Sequence, residues 1–377
     1  MNRRRFVQAG MGTALSTVAT PFDHHALVMP SNDIRSQFPR LTEEVYLNAA
    51  GMMPLSTFSE QALNKYAAYQ RLGSKEGRGE YFGTMRTDIR RMFGDLIGAK
   101  ESEIGLVHCT KAGEQIVLDS LPSAGNIVTN DLHFSGSLHN LIGLKKAGRE
   151  LRIVKARDWK VDINEMLDAI DQDTVLVTVA LVSNVNGHLE DIKTIADAAH
   201  ARGAIVFADI IQAAGAIPIN VHELEIDVAS CSCYKWLFGI HGSGFIYVRQ
   251  DLQGTKIPDR LFPGHVKNNY PPWVDEVDSS ADEYSYHALT DATRYQPGHV
   301  NYMGYCAAFE GLRFLKTHGV EKILEHSVRL NKQLLRQVDT ERHPFITPDI
   351  HASPITSFIV DDRDEVIKRL IEARIAV

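Results

Sequence analysis

Short apolar runs alternate with amphipathic segments between residues 104 and 248 of this chain. The runs at 174–180 (TVLVTVA) and 204–208 (AIVFA) are almost wholly apolar. Strands that are apolar along their whole length are buried on both faces, which is typical of a mostly parallel sheet covered by helices on each side. The sequence therefore predicts an α/β fold built on such a sheet. In folds of this kind, ligands bind outside the carboxyl ends of the strands.

The pattern changes after Val248. Residues 250–300 are rich in Pro, Asp, Ser and Tyr and have little periodicity, which predicts a long ordered loop region. Helical patterns over 301–317 and 320–338, followed by a strand and a helix, predict a smaller α+β unit. The predicted divisions are a leader (1–30), an N-terminal segment that packs with the small domain (31–55), a large ligand-binding domain (56–299) and a small C-terminal domain (300–377).

The composition argues against several classes of protein. A net charge of -7 over 377 residues, without a basic stripe, argues against nucleic acid as the main partner. No apolar run is long enough to predict a membrane-spanning helix. The four cysteines, at positions 109, 231, 233 and 306, are too few and too scattered for a disulfide framework or a zinc knuckle. We expect buried thiols and no metal site.

The N-terminus has the pattern of an export signal. Residues 2–8 (NRRRFVQ) resemble a twin-arginine signal, and a weakly apolar stretch follows at 9–19. Because that signal exports folded proteins, it predicts a periplasmic or exported protein. The alternative is the basic, frayed end of a cytoplasmic protein. A fusion of residues 1–30 to a reporter that requires folded transport would decide between them, since failure of export with Arg3 and Arg4 intact would refute the signal.

An acid and a lone lysine follow two neighbouring predicted strands. Asp209 ends the run at 204–208, and Lys235 follows the run at 228–233 between two aromatic residues. A Schiff-base enzyme needs such a pair, because the lysine forms the imine and the acid keeps a pyridinium nitrogen protonated. Each residue alone has a simpler explanation, since a lysine at a strand end is usually a solvated charge and an aspartate is a common helix cap.

The other predicted strand ends carry groups that suit the same ligand. The segment 110–113 (TKAG) opens a helix, so its N–H groups form an anion site. Phe134 offers a ring for stacking. Asn184 follows a third strand, while Gln212 and Ser232 add hydrogen-bonding groups at the strand ends that carry Asp209 and Lys235. This convergence on one edge of the sheet is a stronger indication than any single motif.

On these residues the chain resembles the class V aminotransferases, pyridoxal-phosphate enzymes of fold type I that include cysteine desulfurases, kynureninases and isopenicillin N epimerase-like enzymes. The resemblance covers residue 40 to the end, and its most specific segments are 209–212 (DIIQ), 232–237 (SCYKWL) and 295–298 (YQPG). It implies a mostly parallel seven-stranded sheet sandwiched by helices, pyridoxal 5'-phosphate as the cofactor, an amino-acid substrate and a homodimer. The large domain would then bind the pyridoxal phosphate.

The resemblance also implies a role for each candidate residue. Lys235 would form the Schiff base and move the α-proton of the substrate, and Asp209 would pair with the ring nitrogen. Asn184 and Gln212 would hydrogen-bond the phenolic oxygen of the cofactor, and Phe134 would stack on its ring. The residues implied at the phosphate are Thr110, Lys111, Ala112 and Ser232, with Gly298 and His299 reaching it across the dimer interface.

The chain departs from the family pattern at several positions. Tyr234 stands where a His usually precedes the lysine, and the phosphate turn at 111–112 lacks the usual Thr-Glu or Ser-Glu. Relatives continue beyond Val377 through a segment that carries an arginine for the substrate carboxylate, so we expect an incomplete small domain. Arg294 and Arg78 are then the candidates for binding that carboxylate.

The resemblance leaves the reaction open. An aminotransferase is the first prediction, and an amino-acid epimerase or a carbon–sulfur or β-lyase is the alternative within the family. A pyridoxal-phosphate-binding protein without catalysis is the alternative from another class. No cysteine follows Cys306, so the sequence shows no nucleophile for a persulfide mechanism.

Overall fold

The computed structural model describes residues 6–8, 32–73, 80–259, 266–270, 273–274 and 285–377. The predicted leader lies outside these residues except for 6–8, and Arg78 lies outside them as well. Export and a substrate-binding role for Arg78 therefore stay predictions. No helix in the described part of the chain has both the length and the apolar character needed to cross a membrane.

The helices of the described residues begin and end at recognisable signals. They are α1 (Asn32–Ser36), α2 (Arg40–Glu43), α3 (Thr57–Leu72), α4 (Met85–Ile97), α5 (Thr110–Leu118), α6 (Ser135–Lys146), α7 (Ile163–Asp168), α8 (Ile192–His200), α9 (Tyr302–His318), α10 (Val320–Leu335) and α11 (Arg363–Glu372). Ser56 caps α3 by accepting a hydrogen bond from the Ser59 N–H, and Asp191 caps α8 through the Thr194 N–H. Gly98 ends α4 in the left-handed conformation.

The strands form one large sheet and three small ones within the described residues. They are β1 (Phe6–Gln8), β2 (Val45–Tyr46), β3 (Ile104–Val107), β4 (Asn126–Asn130), β5 (Leu151–Val154), β6 (Thr174–Ala180), β7 (Ile205–Asp209), β8 (Val228–Ser232), β9 (Gly244–Val248), β10 (Val266–Tyr270), β11 (Trp273–Val274), β12 (Ser285–Ala288), β13 (Ser357–Ile359) and β14 (Ile375–Ala376). The central sheet has seven strands in the order β3-β9-β8-β7-β6-β4-β5, and only β9 runs antiparallel to its neighbours. The predicted mostly parallel seven-stranded sheet is confirmed.

Both faces of the central sheet are buried. Along β7, Val206 and Ala208 belong to one hydrophobic cluster, whereas Ile205 and Phe207 belong to another. Because successive side chains of a strand point to opposite faces, these two clusters are the core layers above and below the sheet. Burying an apolar side chain of this size contributes about 1.5 to 3 kcal/mol, so the two layers fix the position of the strand and of Asp209 at its end.

The parallel strands end at one edge of the sheet, where the predicted site residues lie. The strand register pairs Ala180 with Asp209 and Asp209 with Ser230, so the last residues of β6 and β7 lie beside the second half of β8. The end of β3 lies at the same edge, because Val107 and Ser232 both pair with Gly244 of β9. We call this the carboxyl edge of the sheet.

The region 250–300 differs from its prediction as a loop. β10, β11 and β12 form a three-stranded antiparallel sheet in the order β11-β10-β12. Short 3-10 helices also span Gln250–Leu252 and Ala292–Tyr295. The longest of the three strands has five residues, and Pro271 and Pro272 separate two of them. Such short strands, interrupted by residues without a backbone donor, give too few repeats for a periodic signal.

The C-terminal part of the chain packs on the loop that follows β6. Gly187 in this loop has a φ of +75°, and a Cβ there would lie 2.5 Å from the Ile355 carbonyl oxygen. The Ser353 hydroxyl donates to the Gly187 carbonyl at 3.1 Å. These contacts hold the loop that carries Asn184. Elsewhere, β14 pairs in parallel with β2, which joins the C-terminal and N-terminal segments.

Candidate active site

Asp209 and Lys235 are buried neighbours that do not touch. Asp209 is the last residue of β7, and Lys235 lies in the turn after the adjacent β8. Their exposed fractions are 3% and 8%. Each lies within electrostatic range of the other, yet these two described side chains form no ion pair within 4.0 Å. Neither group is therefore engaged in an ion pair with the other.

Burial dominates the electrostatics of Asp209. The loss of hydration raises the pKa of Asp209 to about 6. The Ile211 N–H, which donates to Asp209 Oδ1 at 3.0 Å, and the charges of Lys235 and Lys111 oppose this shift only in part. A cationic partner would return the carboxyl group to its ionised form. This is the environment that suits an acid paired with a protonated ring nitrogen.

Burial also prepares Lys235 for chemistry. It lowers the pKa of the Lys235 ammonium group, and the charge of Asp209 opposes this shift. A lower pKa increases the fraction of neutral amine, which is the form that acts as nucleophile and base. Lys235 Nζ lies 5.9 Å from the centre of the Tyr234 ring, and that ring stacks on His241 with centroids 4.1 Å apart. Tyr234, at the usual position of a His, thus gives the lysine an aromatic neighbour.

The N-terminus of α5 is tied to the end of β8. The Thr110 N–H donates to Ser232 Oγ at 2.8 Å, and the Ser232 N–H donates to Thr110 Oγ1 at 2.9 Å. Gly113 packs so closely on Ser230 that a Cβ at this position would lie 2.3 Å from the serine hydroxyl oxygen. The predicted phosphate residues Thr110 and Ser232 therefore meet at the first turn of a nine-residue helix. Such a helix N-terminus favours an anion.

Lys111 and Ala112 differ in what they offer to that anion. The Ala112 N–H donates to the Cys109 carbonyl at 3.0 Å, whereas the Lys111 N–H has no acceptor among the residues that the structure describes. The ammonium group of Lys111 contacts Glu114 and the first turn of α6. The turn therefore offers the backbone of Lys111 to a phosphate, while the Ala112 N–H is engaged within the turn.

Phe134 lies four residues after β4, at the N-cap of α6, and is 39% exposed. The α-carbon of Gly136 lies against the ring, since a Cβ there would be 2.6 Å from Cε1 of Phe134. His133 supports it, because His133 Nδ1 accepts a hydrogen bond from the Phe134 N–H at 2.8 Å and Nε2 lies 3.2 Å from Thr178 Oγ1. Burial lowers the pKa of His133 to about 3, so the imidazole is neutral. No sequence signal other than its place next to Phe134 distinguished His133.

Gln212 and Asn184 lie at the ends of β7 and β6. Gln212 Nε2 donates to the Ala50 carbonyl at 3.0 Å, and Gln212 Oε1 accepts from Trp236 Nε1 at 2.8 Å. Because an amide nitrogen has two hydrogens, one N–H of Gln212 remains for the phenolic oxygen of a cofactor. Asn184 is half-buried in the loop after β6. The sequence analysis missed Ala50 and Trp236, because both contacts join segments that are distant along the chain.

Gly298 and His299 lie on a segment that borders the loop after Lys235. Asn301 Nδ2, just beyond them, donates to the His241 carbonyl at 3.2 Å. Gly298 has a φ of +81° with open space around its α-carbon, and His299 is exposed. Their predicted contact with the phosphate of a partner subunit stays a prediction.

Arg294 lies away from the carboxyl edge. Its Nε is 2.5 Å from Asp259 Oδ1, and its guanidinium group packs on Gly254, where a Cβ would lie 2.6 Å from Nη1. Gly254 and Asp259 follow β9, which runs antiparallel to β8 and therefore ends at the opposite edge from Lys235. The ion pair with Asp259 engages this guanidinium group within the subunit, and a substrate-binding role for Arg294 stays a prediction.

Comparison with known proteins identifies the family of this chain. Residues 45–377 match the family model described as aminotransferase class-V. The chain belongs to this family. Relatives of this class V chain include a probable cysteine desulfurase from Methanothermobacter thermautotrophicus, 27% identical over 317 residues, which are 82% of this chain and 76% of the relative. An uncharacterized aminotransferase from Bacillus subtilis is 27% identical over 295 residues, 78% of this chain and 75% of the relative.

Solved structures share the fold of this class V chain. A mutant of C-DES with glycine covalently linked to its PLP cofactor has a TM-score of 0.80 and 18% identity, over 92% of this chain and 91% of that one. The apo cysteine desulfurase from Thermococcus onnurineus NA1 has a TM-score of 0.75 and 20% identity, over 93% and 88%. At these identities the similarity shows the fold, and fold type I is confirmed.

Enzymes of this family depend on pyridoxal 5'-phosphate, and the residues of this chain fit that group. The buried Asp209 carboxyl group, with its raised pKa, suits the ring nitrogen. Lys235, buried and apart from Asp209, suits the Schiff base. The N–H of Lys111 and the hydroxyl of Ser232 suit the phosphate, and the exposed ring of Phe134 suits stacking. The chain is a pyridoxal-phosphate-dependent class V enzyme.

Proposed function

We propose that this chain is a carbon–sulfur lyase that uses pyridoxal phosphate to act on a sulfur-containing amino acid such as cysteine or cystine. The observation that carries its enzymatic character is the pair of Asp209 and Lys235, buried and held apart at the carboxyl edge. Two similar proteins support the choice of the bond. One is the probable cysteine desulfurase, and the other is a complex of the cystine C–S lyase C-DES with its product cysteine persulfide, at a TM-score of 0.77.

The residues of the site divide the chemistry between them. When bound, the cofactor accepts the electron pair that remains when the α-proton leaves the amino acid. Lys235, as a neutral amine, takes this proton and becomes an ammonium group. The Asp209 carboxylate holds the proton on the ring nitrogen, which maintains the ring as an electron acceptor. The ring of Phe134 and the N-terminus of α5 would hold the cofactor in place.

Elimination would then break the bond between the β-carbon and sulfur, while the electron pair left by the α-proton forms a double bond between the α- and β-carbons. The electron pair of that bond leaves on the sulfur, and the Lys235 ammonium group supplies a proton to the departing thiolate. With cysteine and one water, the balanced products are pyruvate, ammonia and hydrogen sulfide. With cystine and one water, cysteine persulfide replaces hydrogen sulfide. Neither reaction needs an oxidant or a reductant.

The buried cysteines of the chain are poor acceptors for sulfur. Burial raises the pKa of Cys233 to about 12, and it also raises that of Cys231, so neither is a thiolate near neutral pH. Cys306 is buried within α9. Cys109, at the N-cap of α5, is the one cysteine of the four that is not fully buried.

The loaded enzyme should release pyruvate and sulfide in equal amounts from L-cysteine, or pyruvate and persulfide from cystine. Coupled assays for pyruvate and sulfide measure this, with the Lys235→Ala protein as the inactive control. Amino transfer to an added keto acid, without sulfide, would support the aminotransferase of the first prediction and contradict the lyase. Racemisation of an amino acid would support the epimerase. No spectral response to any L- or D-amino acid would indicate a binding protein without catalysis.

The enzyme should be a homodimer in solution. The exposed His299 and the open, left-handed Gly298 border the site without filling it, which suits a contact with a second subunit. Light scattering should give a mass of twice 42.0 kDa. His299→Ala should weaken cofactor binding without lowering the stability of the subunit. A wild-type protein that is monomeric while it carries the cofactor would contradict this arrangement. Unchanged cofactor affinity in His299→Ala would contradict it as well.

A further inference from the structure

Lys111 joins α5 to α6 through its side chain. Its ammonium group contacts the Glu114 carboxylate one turn further along α5. It also donates to the Gly136 carbonyl at 3.3 Å and to Ser137 Oγ at 3.4 Å, both on the first turn of α6. Asn140, one turn later on α6, donates to the same Glu114 oxygen at 3.4 Å. One cation and one carboxylate therefore connect the two helices that begin at the site.

Glu114 depends on this cation. Its side chain is 2% exposed, and its Oε1 is buried without a hydrogen-bond partner among the described residues. Removing one member of a buried ion pair leaves an uncompensated charge, which is strongly unfavourable. If Lys111 loses its charge, Glu114 must take up a proton or α5 and α6 must move apart.

The first turn of α6 also holds the ring of Phe134. Phe134 is the N-cap of α6, and the α-carbon of Gly136 lies against its ring. Lys111 donates to the carbonyl of this same Gly136. A displacement of this turn therefore moves the ring that stacks on the cofactor.

We propose that Lys111 is a positioning residue whose ammonium group clamps the first turn of α6 to α5 and so holds the Phe134 ring in its stacking position. This inference rests on the cofactor chemistry described above. The sequence analysis predicts that Lys111 lies at the phosphate. The contacts of its side chain with Glu114 and Gly136 assign it the additional role of holding the two helices together.

The clamp should depend on pH, because Lys111 loses its proton more readily than an exposed lysine. The ionisable groups around it are Glu114 and Cys109 on the α5 side, His133 before α6 and Asp209 at the end of β7. Burial lowers the pKa of Lys111 to about 8, opposed by the charges of Asp209 and Cys109. The Glu114 carboxylate in contact with the ammonium group favours its charged form, so the clamp holds near neutral pH and is released only where the ammonium group loses its proton in alkaline solution.

Two substitutions separate the charge from the shape of Lys111. Lys111→Arg keeps a cation at alkaline pH, because the guanidinium group does not lose its proton there. Lys111→Met removes the cation at every pH. Lys146→Met changes an exposed lysine at the end of the same α6 and serves as the matched control. The measurements are the dissociation constant of pyridoxal phosphate and the visible circular dichroism of the bound cofactor, which reports the asymmetry of its surroundings.

Wild-type affinity should fall more than that of Lys111→Arg as the solution becomes alkaline, because only the wild type loses its cation there. Lys111→Met should bind weakly at neutral pH and lack this pH dependence. Lys146→Met should behave as the wild type. The titration of the Schiff base itself is common to the variants, so the difference between wild type and Lys111→Arg isolates Lys111.

Equal pH dependence in wild type and Lys111→Arg would overturn the proposal. It would also be overturned if Lys111→Met lowered the melting temperature but left cofactor affinity and dichroism unchanged, because Lys111 would then be a structural ion-pair partner only. If the wild type bound no pyridoxal phosphate at any pH, the proposed function would fail and this inference with it.

Discussion

Lys235→Ala should lose the visible absorption band of the Schiff base and should lower turnover by roughly 10³-fold or more. The substitution removes both the amine that bonds the cofactor and the base that takes the α-proton. Lys235 is 8% exposed and lies beside Asp209 at the carboxyl edge, so no solvent base replaces it. Absorbance spectra of the loaded proteins and the rate of pyruvate release measure the two effects.

Two further variants isolate the role of the Lys235 amine. Lys235→Arg keeps a positive charge but has no amine that forms a Schiff base, so it should also lack the band. Lys256→Ala changes an exposed lysine whose Nζ donates to the Gly203 carbonyl, ahead of β7 at the opposite edge of the sheet, and should keep both band and activity. A band that persists in Lys235→Ala would mean that another lysine carries the cofactor.

Asp209→Asn should keep the Schiff-base band but lower turnover by roughly 10²- to 10³-fold, as for the loss of one preorganised electrostatic group in an active site. The amide has nearly the same shape as the carboxyl group and still accepts from the Ile211 N–H, but it does not hold a proton on the ring nitrogen. Activity within a few-fold of the wild type would contradict the assignment of Asp209. Asp209→Glu, which keeps the charge, should retain more activity than Asp209→Asn.

Asp209→Asn should also stabilise the cofactor-free protein above about pH 6. Asp209 has a pKa of about 6 in the folded chain and a usual value of 3.8. Stability is therefore greatest below the usual pKa and falls as the pH rises through the folded pKa, and the full difference corresponds to about 3 kcal/mol. Denaturant unfolding near neutral pH should show Asp209→Asn to be more stable than the wild type without cofactor. An equal or lower free energy of unfolding would contradict the buried, uncompensated carboxylate.

The central sheet was predictable because its strands are apolar along their whole length. The run at 174–180 coincides with β6 (Thr174–Ala180), and the helical patterns at 301–317 and 320–338 match α9 and α10 within three residues at each end. Burial on both faces leaves few polar residues to obscure such a pattern. The short strands between 266 and 288 carried too few repeats to be predicted.

The positions of candidate residues at strand ends were predictable from the sequence. Contacts between segments that are distant along the chain were not. Two of these residues end their strands, Asp209 in β7 and Ser232 in β8, and Phe134 follows β4 by four residues. The order of the strands therefore places them at one edge of the sheet. The ion pair of Arg294 with Asp259 was not predictable, because it depends on the antiparallel direction of β9, which carries Asp259 to the opposite edge. The hydrogen bonds of Gln212 to Ala50 and Trp236 likewise depend on tertiary packing alone.

Reduction of the loaded enzyme with borohydride, followed by mass spectrometry of its peptides, tests the central claim most directly. Borohydride converts the Schiff base into a stable bond, so the modified lysine identifies the residue that carries the cofactor. We predict a single pyridoxyl group on the peptide that contains Lys235, and none on the peptide that contains Lys111. A pyridoxyl group on Lys111, or no modified peptide at all, would contradict the account.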